Sequence, residues 1–336
     1  MGRVARVPVR RLVVASSLAI VFLAPAAQPL ATAEHDAAAP ATRVLVISVD
    51  GLNPSALSRL GAGATPSFHR LMSEGASTLN ARSQVEQTTT LPNHTSMVTG
   101  RRIDRAYEGH GVTWNTDRRG TTVQKAAGHD VESIFSLLHS AGMTTALFAA
   151  KAKFTLFDRS WPDIDRVTVK DEKDGALTKA LRSDLIQHHR EFTFLHLGGV
   201  DRTGHAKGFM SPAYLAAVRR MDAKLGMILT AVDRHAELGN LTIVLTADHG
   251  GQGASHNDPT MLANFRVPLM VWGPGVVHDN LYDLNPGFEN PGKRRLGLVG
   301  MQPIRNGDVA NFAAHLLGLG PVPDSGWDVA QQLRVS

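Results

Sequence analysis

The sequence contains no cysteine. Disulfides, a thiol nucleophile and a thiolate metal site are all excluded by that absence. No apolar run is long enough for a comfortable membrane span. The most apolar stretch, LVVASSLAIVFLA from Leu12 to Ala24, falls short of the roughly 20 residues that a crossing helix needs. There is no internal repeat, and no low-complexity linker after residue 42. Charge of one sign is also scarce once the N-terminus is set aside. The formal charge is +5, but residues 1–33 hold four arginines and no acid, which leaves +1 for the rest. Such a balance gives no case for nucleic acid or an anionic membrane surface as a specific partner.

What is there begins with that N-terminus. Arg3, Arg6, Arg10 and Arg11 precede the apolar run, and Ala31-Thr32-Ala33 follows it, a small-residue cleavage pattern before Glu34. Residues 1–33 read as a secretory signal peptide, so the expected location is secreted, with no stable membrane span after cleavage. Arg10-Arg11 leaves a twin-arginine export route open. Residues 34–42 (EHDAAAPAT) read as a flexible leader, and 43–336 as a single domain with a loop or cap insert around 101–125.

Within that domain, short apolar runs alternate with helical spacing. Arg43–Val49, Thr144–Ala150, Phe192–Leu197, Leu241–Ala247 and Val267–Trp272 read as strands. Val131–Gly142, Ser211–His235 and Asp308–Leu317 read as helices. The alternation predicts an α/β fold, with a largely parallel central sheet and helices on both faces.

In such sheets ligands bind at the carboxyl ends of strands. The first run ends in Asp50, FTFLHLGG leads into Asp201 and His205, and LTIVLTA ends in Asp248-His249, with His256 soon after. Alone, Asp50-Gly51 reads as a turn, and Asp201-x-x-x-His205 as a helix cap followed by a surface histidine. Together, three strand ends bearing carboxylate and imidazole read as a metal centre. Asp and His without Cys suit zinc, with manganese or iron as alternatives.

The stretch Thr88–Gly100, TTTLPNHTSMVTG, is a poor core strand because of its proline but a good helix entrance. A helix N-terminus attracts anions, which makes one of its threonines a candidate nucleophile toward phosphate.

VLVISVDGL, TTTLPNHTSMVTG, HGVTWN, VDRTGHAKG and LTADHGGQG, in this order, resemble the alkaline phosphatase superfamily and most closely its type I phosphodiesterase/nucleotide pyrophosphatase branch. The likeness spans about residues 43–275, and the tail RNGDVANFAAHLLGL resembles the family's C-terminal helix. The resemblance implies an alkaline-phosphatase-like fold holding two divalent metal ions. Asp50, Asp248, His249 and the nucleophile would hold one metal. Asp201, His205 and a further histidine would hold the other. Of the later histidines, His256 is the expected ligand, ahead of His278 and His315. This departs from the nucleotide pyrophosphatases, where that ligand lies far downstream. Thr90 matches the nucleophile before the x-Pro pair, with Thr88 and Thr89 as an approach strand and Thr95 inside the helix. Asn115 matches a family asparagine that donates to a phosphoryl oxygen, although alone it also reads as a turn residue.

The resemblance implies a metal-activated threonine, a phospho-threonine intermediate, and a small-molecule phosphate ester or nucleotide as substrate. It excludes a sulfatase, which needs cysteine or serine in C-x-P-x-R, whereas Thr90 is followed by Pro92 and His94. A phosphodiesterase or nucleotide pyrophosphatase is the leading expectation. An alkaline-phosphatase-type monoesterase and a catalytically silent, metal-stabilised binding protein stand as alternatives. A mutase fits the fold but not an exported chain. Arg101, Arg102, Arg105, Lys151, Lys153 and Arg202 are candidate cations for phosphoryl oxygens, although the Arg101–Arg105 run reads rather as a solvated basic face. Trp114, Phe154 and Phe157 read as core or as a stacking surface.

Overall fold

In this computed structural model, which describes residues 1–2 and 43–336, the first apolar run forms β1 (Arg43–Val49), buried at every position. From residue 3 onward, the expected signal segment and leader lie outside the described residues. A strand covered on both faces needs aliphatic and β-branched side chains, and each such residue contributes roughly 1.5–3 kcal/mol when fully buried. Its one guanidinium, Arg43, donates to the carbonyls of Leu185 and His188, both at 2.9 Å.

The chain continues through α1 (Pro54–Leu60), α2 (Pro66–Glu74), β2 (Ala76–Arg82), α3 (Thr90–Thr99), α4 (Val123–Ala127), α5 (Ile134–Ser140) and β3 (Thr145–Ala149). Then come α6 (Thr155–Ser160), β4 (Arg166–Val169), α7 (Asp174–Gln187), β5 (Phe192–Leu197), α8 (Gly199–Lys207), α9 (Pro212–Arg234) and β6 (Leu241–Thr246). The last elements are α10 (Leu262–Phe265), β7 (Arg266–Trp272), β8 (Asp279–Asn280), α11 (Leu281–Leu284) and α12 (Val309–Leu316). The strands form one sheet in the order β4-β3-β5-β1-β6-β7-β2-β8. β4, β3, β5, β1 and β6 are parallel, and β7 is antiparallel to both β6 and β2. This is the expected α/β class, with a largely parallel sheet.

Local differences have local causes. The helix expected from Val131 begins at Ile134, because Ser133 caps it and Ser136 returns the bond in a capping box. β2 and β4 escaped the sequence reading because they are not apolar runs: β4 is only partly buried at each position. Residues 85–89 are not a strand, so Thr88 and Thr89 approach α3 in irregular backbone. Segment 101–125 is mostly irregular, with one short turn of 3-10 helix at Arg105–Tyr107.

Register explains why one edge collects the polar residues. β1 pairs Val49 with Leu197 of β5 and Ser48 with Thr246 of β6, while β3 pairs Ala149 with His196. The residues that follow each strand, Asp50, Gly198 to Asp201, Asp248 and Lys151, therefore emerge side by side.

Candidate active site

Asp50 leaves β1 into a turn that only glycine can complete. Gly51 has φ +69°, and a Cβ there would lie 2.9 Å from Cα and Cβ of Asp201. The missing side chain lets the two carboxylates approach. Tyr214 fixes the turn, its hydroxyl donating to the Gly51 carbonyl at 2.7 Å and accepting from Asn53 N–H at 2.9 Å.

Asp201 and His205 lie one turn apart on α8, so both face the same way. The cap of this helix is not Asp201, as its sequence pattern allowed, but Asp174. Its carboxylate accepts from Gly198 and Gly199 N–H at 3.0 and 2.9 Å, which leaves Asp201 free to face the site. At the end of β6, Asp248 Oδ1 accepts from Gly51 N–H at 3.1 Å and from its neighbour His249 N–H at 2.9 Å.

The imidazoles have assigned tautomers. His249 Nδ1 meets the Gly250 carbonyl at 2.8 Å, so that nitrogen carries the proton and Nε2 presents a lone pair. Nε2 lies 3.2 Å from Asp248 Oδ2 and 3.5 Å from Asp50 Oδ1. His256 Nδ1 meets the Thr88 carbonyl at 2.5 Å, while the Thr88 hydroxyl donates back to the His256 carbonyl. His205 Nδ1 meets the Ala254 carbonyl at 2.9 Å. The Nε2 atoms of His205 and His256 then face each other at 3.0 Å, with Asp201 Oδ1 at 3.4 and 3.8 Å from them. Burial holds His249 and His256 neutral.

Lone pairs facing lone pairs need a cation between them. Asp201, His205 and His256 converge as one set able to hold a metal, and Asp50, Asp201 and His249 as another. Asp50 Oδ1, Asp201 Oδ1, Asp248 Oδ2, His249 Nε2 and Thr90 Oγ1 are all buried without a hydrogen-bond partner. Such groups are costly unless an ion satisfies them. The charges agree. Burial, then Asp50 and Asp201, push the Asp248 carboxyl well above its ordinary value. Burial also opposes ionisation of Asp50, but Lys151 and then His196 outweigh it and hold that carboxyl low. The donor set, carboxylate and imidazole only, fits two divalent cations.

Thr90 is the first residue of α3, a helix whose every residue is buried. Its carbonyl accepts from His94 Nδ1 at 2.8 Å, and that ring lies 3.6 Å from Asp248 Oδ2. The next N–H, of Leu91, donates to Asn115 Oδ1 at 2.9 Å, so the insert supplies the cap of this helix. Thr95 lies inside the helix, bonded to the Leu91 carbonyl.

The structure thus gathers Asp50, Thr90, Asn115, Asp201, His205, Asp248, His249 and His256, and leaves His278 and His315 exposed elsewhere. Among the candidate cations, Lys151 and Lys153 reach the site. Lys151 Nζ lies 2.6 Å from Asp50 Oδ2 and 2.8 Å from Asp201 Oδ2. Arg101 is not part of a solvated face: it is 3% exposed and donates to the carbonyls of Glu108 and Pro323. Arg102 pairs with Glu86, Arg105 is exposed, and Arg202 faces Glu172 at 3.9 Å. Phe154 and Phe157 are core, with the Phe154 ring packed at a tilt against His196, centroids 4.3 Å apart. Trp114 is partly buried, with the Arg118 guanidinium 4.3 Å over its ring.

Sequence reasoning missed three supports. His196 Nε2 donates to Asp50 Oδ2 at 2.9 Å, with Ala150 N–H on its Nδ1 fixing that tautomer. His94 ties α3 to Ser48 of β1 at 2.8 Å. Asn306 donates to the Asp248 carbonyl at 3.0 Å and to Asn93 Oδ1 at 3.2 Å, which braces the turn after β6. A histidine inside the apolar strand FTFLHL was a readable signal, since a buried polar group requires a partner.

A sheet of this order, with carboxylate and imidazole donors at the strand ends beside a helix-initiating threonine, belongs to the alkaline phosphatase superfamily, whose members use two divalent metals. Within it, residues 44–270 match the family model "type I phosphodiesterase / nucleotide pyrophosphatase", and the chain belongs to that family. It is 32% identical over 183 residues to GPI ethanolamine phosphate transferase 1 of Aspergillus oryzae, covering 51% of this chain and 16% of that protein. To the Schizosaccharomyces pombe protein of the same name it is 24% identical over 304 residues, covering 84% of this chain and 32% of that one. The chain thus spans about a third or less of these relatives' length. Murine ectonucleotide pyrophosphatase/phosphodiesterase 5, solved in an inactive form with AMP, shares the fold with a TM-score of 0.62 at 16% identity, over 88% of this chain and all of that one.

Proposed function

We propose that this chain is an exported two-metal phosphoesterase acting on phosphodiester or nucleotide-type substrates through Thr90. The observation that carries the reading is the set of unpartnered buried atoms, Thr90 Oγ1 among them, around carboxylates and imidazoles with fixed tautomers. Two bound divalent cations, preferably zinc, would supply the Lewis acidity that deprotonates the threonine hydroxyl and neutralises the phosphoryl group. Asp50, Asp248, His249 and Thr90 would hold one, and Asp201, His205 and His256 the other.

The chain's own residues do the rest. Thr90 Oγ, its proton given up to solvent, forms a bond to phosphorus as the bond to the leaving oxygen breaks, and the leaving group departs with the electron pair and takes a proton from solvent. The N-terminal end of α3 adds its dipole, and Asn115 Nδ2 an N–H donor, in favour of the phosphoryl oxygens. Water then attacks the phospho-threonine, which releases phosphate ester and restores the hydroxyl. Export rests on the basic-then-apolar order of residues 1–33, and no helix among the described residues is long and apolar enough to cross a membrane.

A second reading is favoured by the relatives, which are named transferases. An alcohol in place of water at the second step would make the same site a phosphoester transferase. The deciding experiment assays the metal-loaded protein on a chromogenic phosphate diester and the matching monoester, with and without an added alcohol. Diester turnover abolished by chelation supports the reading. Product appearing on the alcohol moves it to transfer, and monoester preference moves it to a phosphatase. Bound metal with no turnover on any substrate favours a silent binding protein.

A further inference from the structure

The segment Lys151-Ala152-Lys153 after β3 sends two ammonium groups to the same centre, but to different partners. Lys151 is fully engaged by Asp50 and Asp201. Lys153 is partly buried, and among the described residues no carboxylate lies within ion-pair distance of it. Its ammonium donates instead to Asn115 Oδ1, a neutral oxygen, at 2.9 Å. A partly desolvated cation with only an amide for a partner is poised for an anion. The same amide oxygen accepts from Leu91 N–H, so Lys153 is anchored beside the first turn of α3, next to Thr90.

This geometry also orients Asn115. With Oδ1 accepting from both Leu91 and Lys153, the amide cannot be flipped without facing donors with donors, and Nδ2 is the group left to donate outward. Three features then share one small region: the unpartnered Thr90 hydroxyl, the Asn115 amide nitrogen and the Lys153 ammonium.

We propose that Lys153 is a further catalytic residue, which with Asn115 clamps the phosphoryl oxygen turned away from the Asp/His cluster. The inference rests on Thr90 as the nucleophile. A diester phosphoryl has two non-bridging oxygens. Metal held by the Asp/His set would neutralise one, and the Lys153–Asn115 clamp takes the other as charge builds in the transition state. In this role Lys153 acts by its charge and by donating hydrogen bonds, and transfers no proton. Its partner Lys151 has a different task, since its charge is spent on ligand carboxylates.

The test uses the metal-loaded protein and inorganic phosphate as the probe, measured by calorimetry in a Thr90→Ala background where nothing turns over. Lys153→Met in that background should weaken phosphate binding at least about tenfold, as loss of a charge-assisted bond does. Bound metal should be unchanged, and Lys153→Arg should recover most of the affinity. In the active background, Lys153→Met should lower kcat by about 10²-fold, with KM affected less. Lys153→Gln, which keeps a neutral N–H donor on a side chain one atom shorter, guards against misfolding of the methionine variant and should fall between. Equal phosphate affinity with and without Lys153 overturns the clamp while leaving the nucleophile intact. If Thr90→Ala itself turns over at the wild-type rate, the underlying reading fails, and the clamp with it.

Discussion

Nε2 of His205 stands 3.0 Å from Nε2 of His256, and each ring has its Nδ1 committed to a carbonyl. Two lone pairs at that distance repel unless a cation lies against both. The pair comes from α8 and from the loop after β6, and Thr88 locks its loop half by exchanging two hydrogen bonds with His256.

Removing one member should therefore empty one metal set and spare the other. Wild-type protein is expected to hold about two divalent ions per chain, and His256→Ala about one. Elemental analysis after gel filtration gives the count. Loss of both ions, or of neither, would show that the two sets do not divide as Asp201-His205-His256 and Asp50-Asp248-His249.

Thr90→Ala should behave differently. The hydroxyl makes no hydrogen bond in the fold, so its loss leaves packing and the helix start intact. Metal content should stay near wild type, while diester turnover falls at least about 10³-fold, as for other nucleophile deletions. Thr90→Ser should retain part of the activity. Mass spectrometry of acid-quenched diester turnover should find the phosphoryl group, still carrying its remaining ester substituent, on Thr90, and its absence under burst conditions would count against a covalent step.

The strand-end residues were legible because each follows an apolar run whose period is unambiguous: Asp50 after RVLVISV and Asp248-His249 after LTIVLT. Thr90 was legible from the proline and the caps around it. The partners of the supports were not. His196 stands out inside the apolar strand β5 as a buried polar group that needs a partner, but that partner, Asp50, is 146 positions away. Asn306 braces the Asp248 backbone from a distance of 58 residues. Such contacts are made by the order of strands in the sheet, which a sequence period does not encode. Lys151 was visible only as one cation among six, because its role follows from the pairing of Ala149 with His196. Arg101 misled for the converse reason: three arginines in five residues look solvated, yet the first is turned inward onto two carbonyls.

Lys151 should matter most when metal is scarce. It neutralises two buried carboxylates, Asp50 and Asp201, at 2.6 and 2.8 Å. Lys151→Met leaves both without a cation, and breaking a buried ion pair in this way costs about 3–5 kcal/mol. Urea unfolding in the presence of a chelator should show a loss of that order. Saturating divalent metal should close much of the gap, because it places positive charge on the same carboxylates. A gap equal with and without metal would mean that Lys151 and the metal do not share these partners.

A final expectation concerns pH and lies away from the metal sets. Asp328 is buried, and burial pushes its carboxyl up to about 7, while burial and Asp328 itself push Asp308 well above its usual value. Asp328 Oδ1 also accepts from Leu333 N–H at 2.5 Å, so it tethers the C-terminal residues. The sign follows from proton counts. Between the unfolded value near 4 and the folded value near 7, the native protein holds a proton that the unfolded chain has released. Stability therefore falls as pH rises through that window and stays low above it. Asp328→Asn keeps the carbonyl oxygen for Leu333 and removes the ionisable group. Its melting temperature should exceed wild type by at least about 3 °C at pH 8 and converge with it near pH 4. Parallel curves for the two proteins across that range would show that Asp328 is not protonated in the fold.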